Sequence, residues 1–263
     1  MSAPGPGSHP YAWLRPALFR LDPHDAHALA FRALDVAERV APLRALLAAL
    51  HPAEGPAVET MGLRFRNPVG LAGGLDKDGR APRALAALGF GFLELGTVTA
   101  RAQEANPRPN LFRLPDDRAL INRLGFPNAG AAALGRRLAG HRPEVPVGVS
   151  IGKSRAVPVD DLTLVRDDYL ASLRAVQGAA DFVVVNVSSP NTANLRAMQR
   201  ADAARDLLGA LVAARDEGLR RVPLLLKIAP DLDRDAHEAL LDVVDAVGLD
   251  GVVATNTTVA RDG

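Results

Sequence analysis

The sequence predicts an α/β fold: an incomplete (β/α)8 TIM barrel with about six of its eight βα units, preceded by an N-terminal helical extension. Short β-branched apolar runs alternate with stretches of helical periodicity from residue 67 onward. Glycine and polar residues follow almost every apolar run, which is typical of the catalytic end of such barrels. The part from residue 67 onward is shorter than the roughly 250 residues of a whole barrel. We therefore expect the barrel to be truncated after its sixth strand, and we divide the chain into domains 1–57 and 58–263.

The first domain is predicted to be mainly helical. Its first ten residues are rich in proline, glycine and serine and are predicted to be disordered. Asp22 is a suitable N-cap, Pro23 suits the first position of a helix, and Pro42 is predicted to end that helix. Two interpretations of these helices stay open: a cap packed on the barrel, or a membrane-surface element with arginines around an apolar face.

The second domain begins with a predicted hairpin over 58–65, with Gly62 in its turn. The predicted strands of the barrel are 69–72, 92–98, 145–151, 182–187, 224–228 and 251–254, and the predicted helices are 82–88, 129–139, 167–177, 201–219 and 233–247. A polar insertion over 101–128 carries two apolar patches, and an insertion of this length is typically functional. A doubly wound open sheet also fits the alternation, but polar groups after every strand favour a ring.

Composition excludes several classes of function. The formal net charge is +1, which gives no indication of a nucleic-acid partner. The chain has no cysteine, so disulfides, thiolate metal sites and cysteine nucleophiles are excluded. No apolar stretch approaches the roughly 20 residues that cross a bilayer, and no secretory signal is expected from the first residues.

Residues 181–195 are the stretch around which the predicted barrel is organised. A buried apolar strand breaks there at Pro190 into serine and asparagine residues, which places hydroxyls and amides at the catalytic end of the barrel. The chain has only three lysines, at the ends of three predicted strands. For Lys77 and Lys227 we favour a role in ligand binding, because a compact ammonium group at this edge can contact an anion.

The polar residues at the strand ends exclude some chemistries and suit others. They form no cluster of histidine and carboxylate at metal-binding spacing, no Ser-His-Asp arrangement and no carboxylate pair for glycoside hydrolysis. His24 and His27 lie one helical turn apart without a third ligand, and we predict that both are solvated. The remaining amides, hydroxyls, glycines and ammonium groups suit a planar polar heterocycle, an anion and an organic cofactor that supplies the difficult chemistry.

Six ordered motifs carry a family resemblance. They are GLAGGLDKDG, GFGFLELGTVT, RPNLFRLPDDRALINRLGFPN, NVSSPNTANLR, LLLKIAPDL and GVVATNTT. Together they resemble dihydroorotate dehydrogenase over almost the whole chain from about Tyr11 onward. The active-site base of this family is cysteine in the soluble class and serine in the membrane-associated, quinone-using class. The SSPN segment offers Ser189, and the N-terminal segment LDPHDAHALAF resembles the extension of the quinone class.

The resemblance implies oxidation of dihydroorotate to orotate in de novo pyrimidine (UMP) biosynthesis, with FMN as cofactor and a quinone as electron acceptor. It implies that Ser189 removes the C5 proton, and that domain 1–57 attaches the protein to the cytoplasmic face of the inner membrane. The implied substrate-binding residues are Lys77, Asn122, Arg123, Leu124, Gly125, Phe126, Asn186, Asn191, Asn256 and Thr257. The implied cofactor-binding residues are Gly73, Gly74, Lys77, Thr97, Ser150, Asn186, Lys227 and Thr255; no metal is implied.

The sequence departs from the family pattern at two places. Ser150 stands, in VSIGKS, where the family usually has asparagine in INIGKN. The glycine-rich loops that hold the FMN phosphate in the family follow the seventh and eighth strands, which we expect to be missing. Two alternative functions stay open: an inactive truncated relic that acts as an interaction module, and a lyase with Lys227 as a Schiff-base nucleophile.

Overall fold

Three helices precede the barrel in the computed structural model, which describes residues 10–191 and 195–261. They are α1 (Pro10–Leu18), α2 (Pro23–Arg39) and α3 (Ala41–Leu50). The predicted disorder of the first ten residues falls almost entirely outside the described residues. Helix α2 begins as predicted, because the Asp22 carboxylate accepts a hydrogen bond of 2.8 Å from the backbone N–H of His24. The prediction that Pro42 ends this helix is wrong. Helix α2 ends at Arg39, and Pro42 lies in the first turn of α3, where no intrahelical N–H is needed.

Ten strands lie in the described part of the chain. They are β1 (Val58–Thr60), β2 (Leu63–Phe65), β3 (Gly70–Leu71), β4 (Phe92–Val98), β5 (Leu111–Leu114), β6 (Ala119–Asn122), β7 (Val147–Ile151), β8 (Phe182–Asn186), β9 (Leu224–Ile228) and β10 (Gly251–Ala254). Between them lie α4 (Pro82–Ala86), α5 (Ala131–Gly140), α6 (Leu162–Val176), a 3₁₀ helix (Leu195–Gln199), α7 (Ala201–Asp216) and α8 (Arg234–Val247).

Six of the strands form one parallel sheet in the order β3-β4-β7-β8-β9-β10. This order follows the chain without reversal, whereas a doubly wound sheet reverses at a switch point. The structure therefore confirms the incomplete (β/α)8 barrel and excludes the doubly wound sheet.

The two faces of the sheet bury different apolar clusters. Leu95, Val183 and Leu226 pack outward with the helices in one large core. Phe182 and Leu225 point inward and pack with Phe65 and Phe92 at the N-terminal end of the barrel, where the β1–β2 hairpin closes it. Apolar side chains therefore fill that end of the barrel, and the polar strand ends lie at the opposite end.

The insertion after β4 forms a second hairpin, β5–β6, from the two predicted apolar patches. Its Arg113 donates a hydrogen bond of 2.9 Å to the carbonyl of Leu21 and lies over the ring of Phe19. The hairpin therefore connects the N-terminal helices to the C-terminal end of the barrel.

Helix α2 is fixed to the barrel through a buried carboxylate. Glu38 accepts hydrogen bonds from Arg83 Nε at 2.7 Å and from the backbone N–H of Ala84 at 2.9 Å, at the start of α4.

The exposed sides of α1 and α3 carry apolar side chains, including Trp13 and Leu50. Within the described residues, none of the helices has the length and apolar character that a membrane crossing needs.

Candidate active site

A cavity of about 630 Å³ opens at the C-terminal end of the sheet, between the strand ends, the β5–β6 insertion and α2. Such strand ends are where barrels of this kind carry their ligand sites. Most of the predicted site residues line this one cavity. They are Gly73, Gly74, Lys77, Thr97, Asn122, Leu124, Gly125, Phe126, Asn186, Ser189, Asn191, Lys227, Asn256 and Thr257.

A buried hydrogen-bond network forms the floor of the cavity. Asn186 Nδ2 donates to Thr97 Oγ1 at 2.9 Å, and that hydroxyl lies 2.8 Å from Ser150 Oγ. Asn256 Nδ2 donates to Asn186 Oδ1 at 3.2 Å and to Ser188 Oγ at 3.0 Å. These bonds join the ends of β4, β7, β8 and β10, and they fix the amide orientations before any ligand binds.

Asn186 is the centre of this network, and we expect Asn186→Ala to lower kcat/KM by about 10- to 100-fold. Alanine removes the hydrogen bonds that orient Thr97 and Asn256 at the cavity floor, and each lost bond costs about 0.5–1.5 kcal/mol. Steady-state kinetics on folded protein measures the loss. Asn67→Ala is the matched control, because Asn67 is also a buried amide but lies outside the cavity. Unchanged kcat/KM in folded Asn186→Ala would contradict the role of the network.

Ser189 lies in the turn that follows β8 and is almost completely buried. Its hydroxyl oxygen accepts a hydrogen bond of 3.2 Å from the backbone N–H of Asn191. The Asn191 side chain in turn donates to Asn122 Oδ1 at 3.2 Å, across to the insertion. This contact holds the hydroxyl at the cavity wall.

The three lysines separate into two groups. Lys77 and Lys227, for which we favoured a role in ligand binding, both line the cavity. The Lys77 ammonium donates to the carbonyl of Gly74, and burial lowers the pKa of Lys77 although Asp78 and Asp76 oppose the shift. Lys153 is instead buried behind the strand end, and burial lowers its pKa too.

Three of the predicted site residues do not line the cavity. The Arg123 side chain donates to the carbonyl of Pro109 on the outer side of the insertion. Ser150 is fully buried behind Thr97. Thr255 is exposed, and its hydroxyl donates to the carbonyl of Asn256. Their direct ligand contacts stay predictions.

Several residues of the cavity wall were not among those predicted from the sequence. His24, His27 and Phe31 of α2 line its outer end. The prediction that both histidines are solvated is wrong for His24, because its Nε2 is buried without a hydrogen-bond partner among the described residues. Burial lowers the pKa of His27, whose ring lies against Phe31. The LDPHDAH pattern showed a helix start, but no local signal indicated a cavity above it.

The family model of dihydroorotate dehydrogenase matches residues 56–263, which is most of the chain. The chain belongs to the dihydroorotate dehydrogenase family. Two relatives are named dihydroorotate dehydrogenase (quinone). That of Mycobacterium marinum is 49% identical over 96% of this chain and 69% of its own length. That of Chromobacterium violaceum is 48% identical over 95% of this chain and 72% of its own length.

Solved structures of the dihydroorotate dehydrogenase family have the same fold. A crystal structure of DHODH from Eimeria tenella in complex with ferulenol superimposes with a TM-score of 0.77 at 32% sequence identity. The match covers 92% of this chain and 68% of that chain. A ligand-free structure from the same organism gives a TM-score of 0.75 at 35% identity.

Membership of the dihydroorotate dehydrogenase family implies a flavin cofactor, and the residues around the cavity fit such a cofactor. The volume of about 630 Å³ lies within the range of small-molecule sites. Gly74 has φ of +114°, and nothing lies within 4 Å of the place where a Cβ would be, so its backbone faces open space. Amides, hydroxyls and two ammonium groups surround that space, and this donor set matches the polar edge of a flavin ring.

Proposed function

We propose that this chain oxidises dihydroorotate to orotate in the de novo synthesis of UMP, with FMN as cofactor and a quinone as the final electron acceptor. The observation that carries the proposal is the convergence of the predicted strand-end residues on one cavity, in a chain of the dihydroorotate dehydrogenase family. The relatives in Mycobacterium marinum and Chromobacterium violaceum, both named as quinone enzymes, support the choice of acceptor.

Ser189 is the proposed general base. It would accept the C5 proton of dihydroorotate, since its buried hydroxyl lies on the cavity wall beside the asparagine side chains. A serine hydroxyl is a weak base, so a water relay or Lys77 must assist it. Asn122, Asn191 and Asn256 would hydrogen-bond the pyrimidine ring and its carboxylate. The full proposed substrate set is Lys77, Asn122, Arg123, Leu124, Gly125, Phe126, Asn186, Asn191, Asn256 and Thr257.

The FMN site is proposed beside the substrate, over the floor of the cavity. When bound, FMN supplies the redox chemistry by accepting a hydride and passing electrons to the quinone. Gly73 and Gly74 would let the backbone approach the flavin ring, and Thr97 and Asn186 would form hydrogen bonds with it. Lys227 would stabilise the negative charge that grows on the ring as it is reduced. Ser150 would orient the Thr97 hydroxyl through their hydrogen bond. Thr255 is proposed to form a hydrogen bond with the ribityl chain of FMN.

The N-terminal helices are proposed as the quinone site and the attachment to the membrane, as a domain of residues 1–57 beside the FMN-binding barrel of residues 58–263. The cavity reaches α2 at His24 and His27, so a quinone would enter between these helices. The exposed apolar side chains of α1 and α3 support contact with a membrane surface. We place this contact at the cytoplasmic face of the inner membrane.

The two alternative functions are less well supported. A relic without catalysis has no need of an intact hydrogen-bond network and a buried serine at the cavity wall. A Schiff-base lyase needs Lys227 as a free amine. Its Nζ instead lies 3.3 Å from Glu94 Oε1, in a buried ion pair that already occupies the nitrogen that a Schiff base would use.

A turnover assay tests the proposed function directly. Purified protein reconstituted with FMN should reduce a soluble quinone analogue when dihydroorotate is present, and should release orotate in equal amount. Omission of either substrate is the control. Protein that holds FMN but never consumes dihydroorotate would refute the proposal.

A further inference from the structure

Glu94 is a buried carboxylate inside the barrel that the proposed roles do not use. It lies in the middle of β4 and exposes 5% of its surface. Its neighbours Leu93 and Leu95 pack outward against the helices, so strand alternation turns Glu94 toward the barrel interior. There its Oε1 lies 3.3 Å from the ammonium of Lys227.

The β3–α4 loop holds the same carboxylate from the side of the cavity. A Cβ on Gly73 would lie 2.3 Å from Glu94 Oε1, so this carboxylate packs directly against the glycine backbone. Gly73 and Lys227 both line the cavity, whereas Glu94 lies behind them. The carboxylate can therefore act on a ligand mainly through the ammonium that it pairs with.

We infer that Glu94 is a positioning residue that lowers the reduction potential of the bound flavin through Lys227. The inference rests on the proposed function. An ammonium beside the flavin ring favours reduction, because reduction places negative charge on the ring. A carboxylate at ion-pair distance from that ammonium offsets part of its field, and the offset is large in a buried site where water does not screen it.

The carboxylate thereby favours electron transfer onward to the quinone. The exchange itself is unchanged: the C6 hydride of dihydroorotate carries two electrons to the cofactor, and the C5 proton leaves to the base. The quinone then takes up two electrons and two protons. Glu94 changes the balance between the two half-reactions, so it should make reoxidation by quinone more favourable and reduction by dihydroorotate less so.

The test is the potential of the bound flavin in Glu94→Gln holoenzyme, measured by spectroelectrochemical titration. Glutamine keeps the size of the side chain and removes its charge. We expect at least a tenfold shift of the equilibrium toward the reduced flavin, which is about 30 mV more positive for a two-electron couple. Stopped-flow traces should show slower reoxidation by quinone, while the rate of reduction by dihydroorotate does not fall.

Two variants serve as controls. Glu94→Asp keeps the charge, and its potential should stay within a twofold shift of the wild-type equilibrium. Glu38→Gln removes a carboxylate that is equally buried and ion-paired, but with Arg83 and outside the cavity, so it should leave the potential unchanged.

Two results would overturn the inference. One is an unchanged potential in Glu94→Gln holoenzyme. The other is a Gln variant that unfolds or releases FMN, which would assign the carboxylate to stability. Failure of the wild-type protein to bind FMN would instead refute the proposed function, so the two failures are distinguishable.

Discussion

Ser189→Ala should lower the rate of flavin reduction by dihydroorotate by about 10²- to 10⁴-fold, the usual contribution of a general base. Alanine removes the one hydroxyl proposed to accept the C5 proton. The backbone N–H of Asn191 loses only a weak partner at 3.2 Å, so the fold should survive. Anaerobic stopped-flow absorbance measures this step without interference from quinone turnover.

Two comparisons make the Ser189 result specific. Ser172→Ala removes another buried serine hydroxyl, which donates to the carbonyl of Asp168 on α6 away from the cavity, and it should leave the rate unchanged. Ser189→Cys should retain part of the activity, because a cysteine thiolate can also accept the C5 proton. A Ser189→Ala rate equal to that of wild type would exclude Ser189 as the base.

Asp250→Ala should lower the free energy of unfolding by about 3 kcal/mol, at the lower end of the range for breaking a buried ion pair. Asp250 lies just before β10, and its Oδ2 lies 3.0 Å from Arg215 Nη1, whose residue exposes 3% of its surface. The same oxygen accepts a hydrogen bond of 2.9 Å from the backbone N–H of Leu224 at the start of β9. Arg215 keeps its second partner, Asp216, so the loss stays at the lower end.

Urea unfolding followed by circular dichroism measures the Asp250 effect. Arg221→Ala is the matched control, because Arg221 pairs with the other oxygen of the same carboxylate but is half exposed. Its loss should cost at most about 1 kcal/mol, as for other surface pairs. Equal losses in the two variants would show that burial of Arg215 does not determine the energy of this cluster.

The barrel strands could be predicted closely because their sequences are mainly apolar runs between glycine, proline and polar residues. The bounds of β4, β9 and β10 agree with the prediction. The strand β7 begins two residues later than predicted, since Pro146 has no N–H for the ladder. Helix α6 begins five residues earlier than predicted, because Asp161 caps it by accepting a 2.9 Å hydrogen bond from Leu164 N–H.

The candidate site was predictable for one geometric reason. Parallel strands of a barrel end at the same face, so residues far apart in sequence, such as Lys77 and Asn256, converge without any local signal. Contacts that depend on how the helices and the insertion pack, such as those of His24, could not be read from the chain. Glu94 was detectable, since it is a charged residue in an otherwise apolar predicted strand.

Anaerobic titration of the FMN-bound protein with dihydroorotate tests most directly whether one cavity holds both the flavin and its reductant. We expect one FMN per chain, and loss of its visible absorbance when dihydroorotate is added, followed by recovery when a quinone is added. Flavin that binds but keeps its absorbance in excess dihydroorotate would contradict the shared site.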